Sequence, residues 1–193
     1  MNAHTDPMAT TFLLERQPTP LGTMLLATDE QARLRILDWE EHEEAMHRLL
    51  RRHYPRQSII LRETPRKSPA MRALEAYFDG ELHAIDGLEV ATGGTAFQRL
   101  VWAALRTIPA GSTISYQELA SRIGRPTAVR AVGLANGANP ISIVVPCHRV
   151  IGSGNKRSLV GYGGGLHRKR WLLEHENAMP PLRQAQQACL PGL

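Results

Sequence analysis

The segment Ile141-Ser-Ile-Val-Val-Pro-Cys-His-Arg-Val150 places a cysteine at the end of an apolar run, between a proline and a histidine. A short apolar run of this kind is typical of a buried, strand-like segment, so we expect Cys147 to lie inside the fold. A thiol is a nucleophile only as its thiolate, which requires a base or a positive neighbour. Side chains that are adjacent on an extended segment point apart, so a water would have to bridge Cys147 and His148. From these residues alone, an inert buried thiol is the alternative.

A carboxylate near the end of the chain is a candidate partner for this histidine. The segment Trp171-Leu-Leu-Glu-His-Glu176 is predicted to lie on the last helix, where Glu176 follows Leu172 by four residues and shares its apolar face. An inward carboxylate is costly unless it is paired, and a histidine would satisfy it. Cys147, His148 and Glu176 therefore form a candidate relay, although each of them alone is more often structural.

Two short helices precede the cysteine segment. Ser115-Tyr-Gln-Glu118 is a capping box that begins the first helix, which ends at Gly124, and the second helix is predicted over 127–136. Two short helices joined by a tight, glycine-containing turn are typical of a helix-turn-helix.

The second of these helices carries few long side chains. Arg130 is its only charge, and its small residues are Ala128, Ala131, Gly133 and Ala135. A reader of base edges in the major groove usually carries several Arg, Asn or Gln side chains, so this helix favours docking in the minor groove. Close packing of the small residues against another helix is the alternative.

The fold class indicated by these patterns is α+β. A small structural α/β domain is predicted over 1–90, a mainly helical domain with the helix-turn-helix over 91–177, and a flexible tail over 178–193. In the first domain, strand-like segments are predicted at 21–27 and 32–39, the second with alternation at Leu34 and Ile36. We find no polar groups converging on a site there, so this domain is predicted to be a scaffold.

The first domain also contains helix signals, with a predicted helix over about 40–53 and another from Ser68-Pro69 to Gly80. The helical domain is predicted to begin with a capping box formed by Thr95 and Gln98.

Composition and charge exclude several classes of protein. The 193 residues are 42% hydrophobic and 21% charged, which is typical of a globular protein. With only two cysteines, a disulfide framework and a four-cysteine zinc site are excluded. The N-terminus is polar and no apolar run reaches the roughly 18 residues of a membrane helix, so we expect a cytoplasmic protein without membrane contact. Residues 1–94 hold 11 basic and 15 acidic residues, and residues 95–193 hold 12 and 3. This asymmetry indicates a polyanion partner for the second half, with a solvated basic face as the alternative.

Several motifs together resemble the O6-alkylguanine-DNA alkyltransferases, also called methylated-DNA–protein-cysteine methyltransferases. The strongest is Pro146-Cys-His-Arg-Val150, which follows Arg130-Ala-Val-Gly133 and Asn139-Pro140. Further motifs in the family's order are Phe97-Gln-x-x-Val-Trp102, Ser115-Tyr-Gln117, Gly161-Tyr-Gly-Gly164 and Trp171-Leu-Leu-x-His-Glu176. The match is dense over 95–177. In the first half, Thr19-Pro-Leu-Gly22 and Ala91-Thr-Gly-Gly94 are similar to the bacterial constitutive type.

This resemblance implies a suicide enzyme of DNA repair, a methylated-DNA–[protein]-cysteine S-methyltransferase. A damaged guanine would be flipped from the duplex through the minor groove, and its O6-alkyl group would pass irreversibly to Cys147, with O4-methylthymine as a further candidate substrate. His148 would deprotonate the thiol through a water, and Glu176 would orient His148 and stabilise its charge.

The resemblance also implies roles for further residues. Asn139 would hold the turn around the active site, and Tyr116 would meet the ring nitrogen of the flipped guanine. Arg130 would fill the vacated place in the base stack, with three small residues of the same helix against DNA: Ala128, Ala131 and Gly133. The guanine pocket would be formed by backbone groups of Cys147 and by Val150, Tyr162 and Gly163.

The implied partner is double-stranded DNA containing O6-alkylguanine, with no obligate protein partner, no cofactor and no metal. We expect a monomer, and the sequence leaves open whether molecules cluster on DNA. The segment 152–160 is longer than the family's usual loop, which leaves the preference for alkyl size open. Cys189 in the tail is expected to be a free thiol without a role.

Three other functions are compatible with parts of the pattern. A thiol hydrolase with a Cys-His-Glu triad would turn over an ester or amide, but it gives no reason for the small-faced helix. A non-reacting alkyltransferase-like protein lacks the acceptor cysteine that is present here as Cys147. A regulator of the adaptive response carries an additional zinc-cysteine module, for which this chain has neither the length nor the cysteines.

Overall fold

A four-stranded sheet forms the first half of the computed structural model, which describes residues 9–152 and 159–180. Its strands are β1 (Thr10–Thr19), β2 (Gly22–Thr28), β3 (Leu34–Trp39) and β4 (Ile59–Glu63), in the order β3-β2-β1-β4. β1 pairs antiparallel with β2 and parallel with β4, and β2 pairs antiparallel with β3. The two strands predicted from sequence are confirmed as β2 and β3, whereas β1 and β4 were not predicted.

The sheet is covered on both faces. Because side chains alternate along a strand, Met24 and Leu26 of β2 face one layer while Leu25 and Ala27 face the other. The second layer is α1 (Glu43–His53), which follows a 3₁₀ turn at Glu40–His42 and contributes Met46. The first layer is continuous with the core of the helical half, so the two halves of the chain share one hydrophobic cluster.

Three of the other helices in the described residues begin at the caps that the sequence predicts. These other helices are α2 (Pro69–Phe78), α3 (Ala96–Leu105), α4 (Tyr116–Arg122), α5 (Val129–Gly137) and α6 (Leu166–His175). Ser68 caps α2, and both predicted capping boxes, at Thr95 and Ser115, are complete. α5 begins two residues later than predicted, because Pro126 and Thr127 lie in a turn closed by the hydrogen bond from Ala128 N to Arg125 O, and Ala128 becomes the N-cap. The predicted α+β class is confirmed.

The cysteine segment differs from its prediction. Cys147–Arg149 form a 3₁₀ turn closed by the hydrogen bond from Arg149 N to Pro146 O, so the expectation of an extended segment there is wrong. After the turn, β6 (Val150–Ile151) pairs parallel with β5 (Ile114–Ser115). Local hydrogen bonding has overridden the strand propensity of the preceding apolar run.

No helix in 9–152 or 159–180 is both long and apolar enough to span a bilayer. Most of the predicted tail, including Cys189, lies outside the described residues, as does the greater part of the 152–160 segment.

Candidate active site

Cys147 lines a cavity of about 590 Å³ although the residue is only 5% exposed. The cavity lies between the C-terminal half of α5 with its following turn, the segment 162–164, and one face of α1 with the residues that precede this helix. Its lining includes Gly133, Asn139, Tyr162, Gly163, Gly164, Asp38, His42 and Arg52. The thiol is therefore buried but reachable, in a pocket within the size range of small-molecule sites.

Asn139 holds the turn that leads to the cysteine. Its side-chain amide donates to Val145 O at 2.8 Å, to Ile141 O at 3.2 Å and to Cys147 Sγ at 3.1 Å. Its Oδ1 accepts from Ile141 N at 3.0 Å. One side chain thus fixes the backbone around the turn and directs an N–H group at the sulfur, an arrangement that favours a thiolate.

His148 and Glu176 form a buried pair. The imidazole Nε2 lies 2.9 Å from Glu176 Oε1, and neither side chain is exposed. Because the carboxylate can only accept, we assign the proton to Nε2, which leaves Nδ1 as an acceptor. Nδ1 is buried and has no hydrogen-bond partner among the described residues. A buried acceptor of this kind is the site at which a water would bind.

Two further residues, missed in the sequence, bind the same carboxylate. Arg149 Nε lies 2.9 Å from Oε2 and its Nη2 lies 2.9 Å from Oε1, while Tyr77 donates its hydroxyl to Oε1 at 2.8 Å. Burial alone would raise the pKa of Glu176, but His148 and then Arg149 lower it well below its usual value. The carboxylate is therefore charged. Tyr77 belongs to the first domain, so the expectation that no polar groups of that domain reach a site is wrong.

Burial decides the resting protonation of the reactive pair. It raises the pKa of the Cys147 thiol, although Asn139 and the charge of Lys169 act in the opposite direction. It lowers the pKa of His148, although Glu176 acts in the opposite direction. At neutral pH the site therefore holds a thiol beside a neutral imidazole, which is the state from which a proton can be transferred.

Lys169 is a second buried cation that sequence reasoning missed. Its ammonium donates to Val150 O and to Val160 O, each at 2.6 Å. Burial lowers its pKa to about 8. The lysine fastens β6, which follows the cysteine turn, to the segment that leads into Tyr162. Its position three residues before buried Leu172 on the same helix face was the available signal.

Two family models match this chain and together cover most of it. The 6-O-methylguanine DNA methyltransferase ribonuclease-like domain matches residues 13–92, and the DNA binding domain of the same family matches residues 96–178. The methylated-DNA–protein-cysteine methyltransferase of Salmonella typhimurium is 52% identical over 165 residues, which are 86% of this chain and 95% of that protein. This chain belongs to the 6-O-methylguanine DNA methyltransferase family. The resemblance inferred from sequence, the enzyme class and DNA repair by alkyl transfer are thereby confirmed.

Solved structures agree with the family. The Mycobacterium tuberculosis O6-methylguanine methyltransferase is 40% identical, with a TM-score of 0.66 over 90% of this chain and 96% of that one. The M. tuberculosis protein has also been solved in complex with DNA, and that structure matches with a TM-score of 0.66 and 40% identity over 87% of this chain and 93% of that one.

Of the other residues predicted for this methyltransferase, Tyr162 and Gly163 line the same cavity, whereas Tyr116 and Val150 are not among the residues that line it. The Tyr116 hydroxyl lies 3.3 Å from Gly161 O, and its ring lies 3.9 Å from the place where a Cβ on Gly133 would lie. Tyr162 packs edge-on against the His148 ring, with 6.4 Å between centroids. The structure thus places Tyr162 beside His148 at the cavity wall and holds Tyr116 against the segment that leads into Tyr162.

The DNA-facing residues predicted for the methyltransferase lie on the outer face of α5. Arg130 and Ala131 are exposed, and Ala128 and Gly133 are half-buried. Leu134 on this helix is 72% exposed. Ala135 points the other way, where its carbonyl accepts from Trp102 Nε1 of α3 at 2.8 Å. Close packing against another helix therefore explains Ala135 but leaves the outer small residues free for an external partner.

No group of three or more His, Cys, Asp or Glu side chains suited to a metal ion occurs within the described part of the chain.

Proposed function

We propose that this protein repairs O6-alkylguanine in double-stranded DNA by moving the alkyl group irreversibly to Cys147, with the base flipped through the minor groove into the cavity. The observation that carries the proposal is that Cys147 lines a cavity while Asn139 donates to its sulfur. A base inside a duplex cannot be reached by a buried thiol, so it has to leave the stack.

His148 is proposed to take the thiol proton through a water bound at its unpaired Nδ1. The charged Glu176 stabilises the imidazolium that forms, as in other nucleophile–histidine–carboxylate sites. The Cys147 sulfur then forms a bond with the alkyl carbon while the carbon–O6 bond breaks. The electron pair of that bond passes to guanine, which needs a proton or a hydrogen bond to leave.

Tyr116 is proposed to meet the ring nitrogen of the leaving guanine, and the Gly163 amide to face O6. The backbone of Cys147 and Val150 would accept from the exocyclic amine. One lone pair of the Val150 carbonyl is already bound to Lys169, and a carbonyl oxygen has a second. The product is a thioether, which offers no hydrolysable ester, so each molecule reacts once.

The outer face of α5 is proposed to lie in the minor groove. Its small residues, Ala128, Ala131 and Gly133, allow close approach of the backbone, and exposed Arg130 would fill the space left by the flipped base. Flipping costs on the order of a few kcal/mol, less for a weakly paired lesion, so a filling side chain helps to hold the open state. The basic second half supports binding to phosphates.

Four expectations from the sequence stay predictions. They are O4-methylthymine as a second substrate, a monomeric state without a protein partner, a cytoplasmic location, and the domain bounds 1–90, 91–177 and 178–193.

Mass spectrometry after incubation with duplex DNA containing O6-methylguanine tests the proposal. We expect one added methyl group on the peptide that contains Cys147 and none in the Cys147→Ser variant. The matched control is Cys189→Ser, which should react like the unaltered protein. Release of methylated product with turnover, or a methyl group on another residue, would contradict the proposal.

The role of Arg130 is tested with two substrates. Arg130→Ala should slow repair of duplex DNA more than reaction with free O6-benzylguanine, because the free base needs no flipping. An equal loss on both substrates would show that Arg130 acts in folding or chemistry instead.

A further inference from the structure

The guanidinium of Arg168, at the start of α6, is turned towards the first domain and away from solvent. The residue is 7% exposed. Its Nε donates to Leu21 O in the turn between β1 and β2 at 3.0 Å, and its Cζ lies 4.1 Å from the centroid of the Trp39 ring. It also forms an ion pair with Glu41. Three separate elements of the first domain thus hold one side chain of the second.

The same guanidinium holds the wall of the alkyl-acceptor cavity. Its Nη1 donates to Gly164 O at 3.1 Å, and Gly164 lines the cavity together with Tyr162 and Cys147. A buried guanidinium binds strongly because its donors are charged and fixed in one plane. The position of the 162–164 segment is therefore tied to the position of the first domain.

Close packing of Gly164 leaves this segment little freedom to move. A Cβ at Gly164 would lie 2.4 Å from Trp39 Nε1 and 2.7 Å from Tyr162 Cε1. The glycine backbone is therefore pressed between the indole that Arg168 covers and the tyrosine that packs on His148. A shift of the guanidinium would be passed to Tyr162 through direct contacts.

We propose that Arg168 is a positioning residue through which the first domain sets the Tyr162–Gly164 wall against the Cys147 sulfur. This inference rests on the proposed use of the cavity as the guanine pocket. It gives the first domain a part in substrate binding, beyond that of a scaffold. Arg168 does not touch the reacting atoms; it acts through the Gly164 carbonyl and the Trp39 ring.

The test compares two electrophiles on the same thiol in Arg168→Met, with Cys189→Ser in every variant so that Cys147 is the only cysteine left to react. O6-Benzylguanine has to fit the purine pocket, whereas iodoacetamide reports only whether the thiol is accessible and reactive. Because small misplacements of a substrate are costly, we expect the rate with O6-benzylguanine to fall about tenfold or more while the rate with iodoacetamide stays within about twofold. The dependence on O6-benzylguanine concentration should show weaker binding.

Two further variants guard against a loss of fold. Arg170→Met is the matched control on the same helix, because within 9–152 and 159–180 the Arg170 guanidinium pairs with nearby Glu174 alone. Both rates should stay unchanged in this variant. Glu41→Gln keeps the Arg168 hydrogen bonds and removes a half-exposed ion pair, so it should lower the benzylguanine rate about two- to fivefold. Melting curves identify the variants that remain folded.

The proposal is overturned if folded Arg168→Met and Glu41→Gln keep the wild-type ratio of the two rates. It is also overturned if both rates fall together, because the effect would then lie on the thiol and not on the purine pocket. Failure of the proposed function is distinguishable, since in that case the unaltered protein itself would not transfer the benzyl group.

Discussion

Replacing Glu176 with Gln should destabilise the protein strongly. The substitution keeps the shape of the side chain but leaves the Arg149 guanidinium, which is 3% exposed, without its counter-charge. Removal of one partner from a buried ion pair costs about 3–5 kcal/mol. In a protein of this size each kcal/mol moves the Tm by about 2–4 °C, so we expect the Tm to fall by about 6–20 °C.

The same substitution should slow the chemistry. Without the carboxylate, an imidazolium at His148 has no negative charge to stabilise it, and general acid–base catalysis is typically worth about 10²–10⁴-fold in rate. We expect the benzyl-transfer rate from free O6-benzylguanine to fall by about 10²-fold, at the low end of that range. The rate is measured well below the melting transition of the Glu176→Gln variant, so that the effects on folding and on chemistry are separated.

A double variant separates the two effects further. Adding Arg149→Met to Glu176→Gln removes the orphaned charge, so part of the Tm should return while the rate should not. Glu174→Gln is the matched control: it breaks a more exposed pair with Arg170 and should change stability by no more than about 0.5 kcal/mol. Wild-type Tm and rate in Glu176→Gln, or recovery of both in the double variant, would refute the reasoning.

Acid sensitivity follows from the same carboxylate. The pKa of Glu176 is lowered from 4.5 in the folded protein, so its contribution to stability is complete above about pH 4.5 and is lost as the pH falls through the folded pKa. Below pH 4.5 the Tm of Glu176→Gln should therefore fall less steeply than that of the unaltered protein. Equal slopes would contradict a buried, charged Glu176.

Three other predictions concern single groups. In a Cys189→Ser background, alkylation of Cys147 by iodoacetamide should still be accelerating above pH 9, because burial raises the pKa of this thiol from 9.0; a plateau near pH 7 would contradict this. Asn139→Ala should slow that alkylation at pH 8 and lower the free energy of unfolding by about 1–3 kcal/mol for each buried group left unpaired; wild-type values in both assays would exclude the proposed contact with the sulfur. Thr95→Ala should cost about 1 kcal/mol, seen as a lower Tm, because Gln98 N loses its cap, while the transfer rate is unchanged.

Local patterns explain which parts of the fold could be predicted. Helix caps depend on residues three apart, and those at Ser68, Thr95 and Ser115 were predicted correctly. β1 was missed because its buried positions include both Leu14 and Glu15, which breaks the alternation expected of a strand. β4 carries exposed residues and pairs with β1 in parallel, a contact that no local pattern records.

In the site, too, the residues marked by a local pattern could be predicted and the long-range contacts could not. Cys147 and His148 stand in one motif, and the helical spacing of Glu176 indicated that it points inward. Tyr77 lies 99 residues from Glu176 in the chain, and nothing near it in sequence marks it as the donor to that carboxylate. Arg149 stands in the same motif, but its ion pair with Glu176 could not be predicted from it. A strand would point His148 and Arg149 to opposite sides, whereas the 3₁₀ turn directs both towards Glu176.

Arg149 explains why the Cys147 thiol would stay protonated before substrate binds. Its positive charge shares the Glu176 carboxylate with His148, and it lowers the pKa of His148 along with burial. Because its pKa is lowered, His148 is a weak base, so in the proposed mechanism the thiolate is a minor species until the alkyl carbon lies beside the sulfur. A protein that is proposed to react once would be inactivated if Cys147 were a thiolate at all times, because other electrophiles would alkylate it. We therefore propose that the buried Arg149 charge keeps Cys147 protonated at rest. The thiol would lose its proton to His148 once the alkylated purine is bound in the cavity.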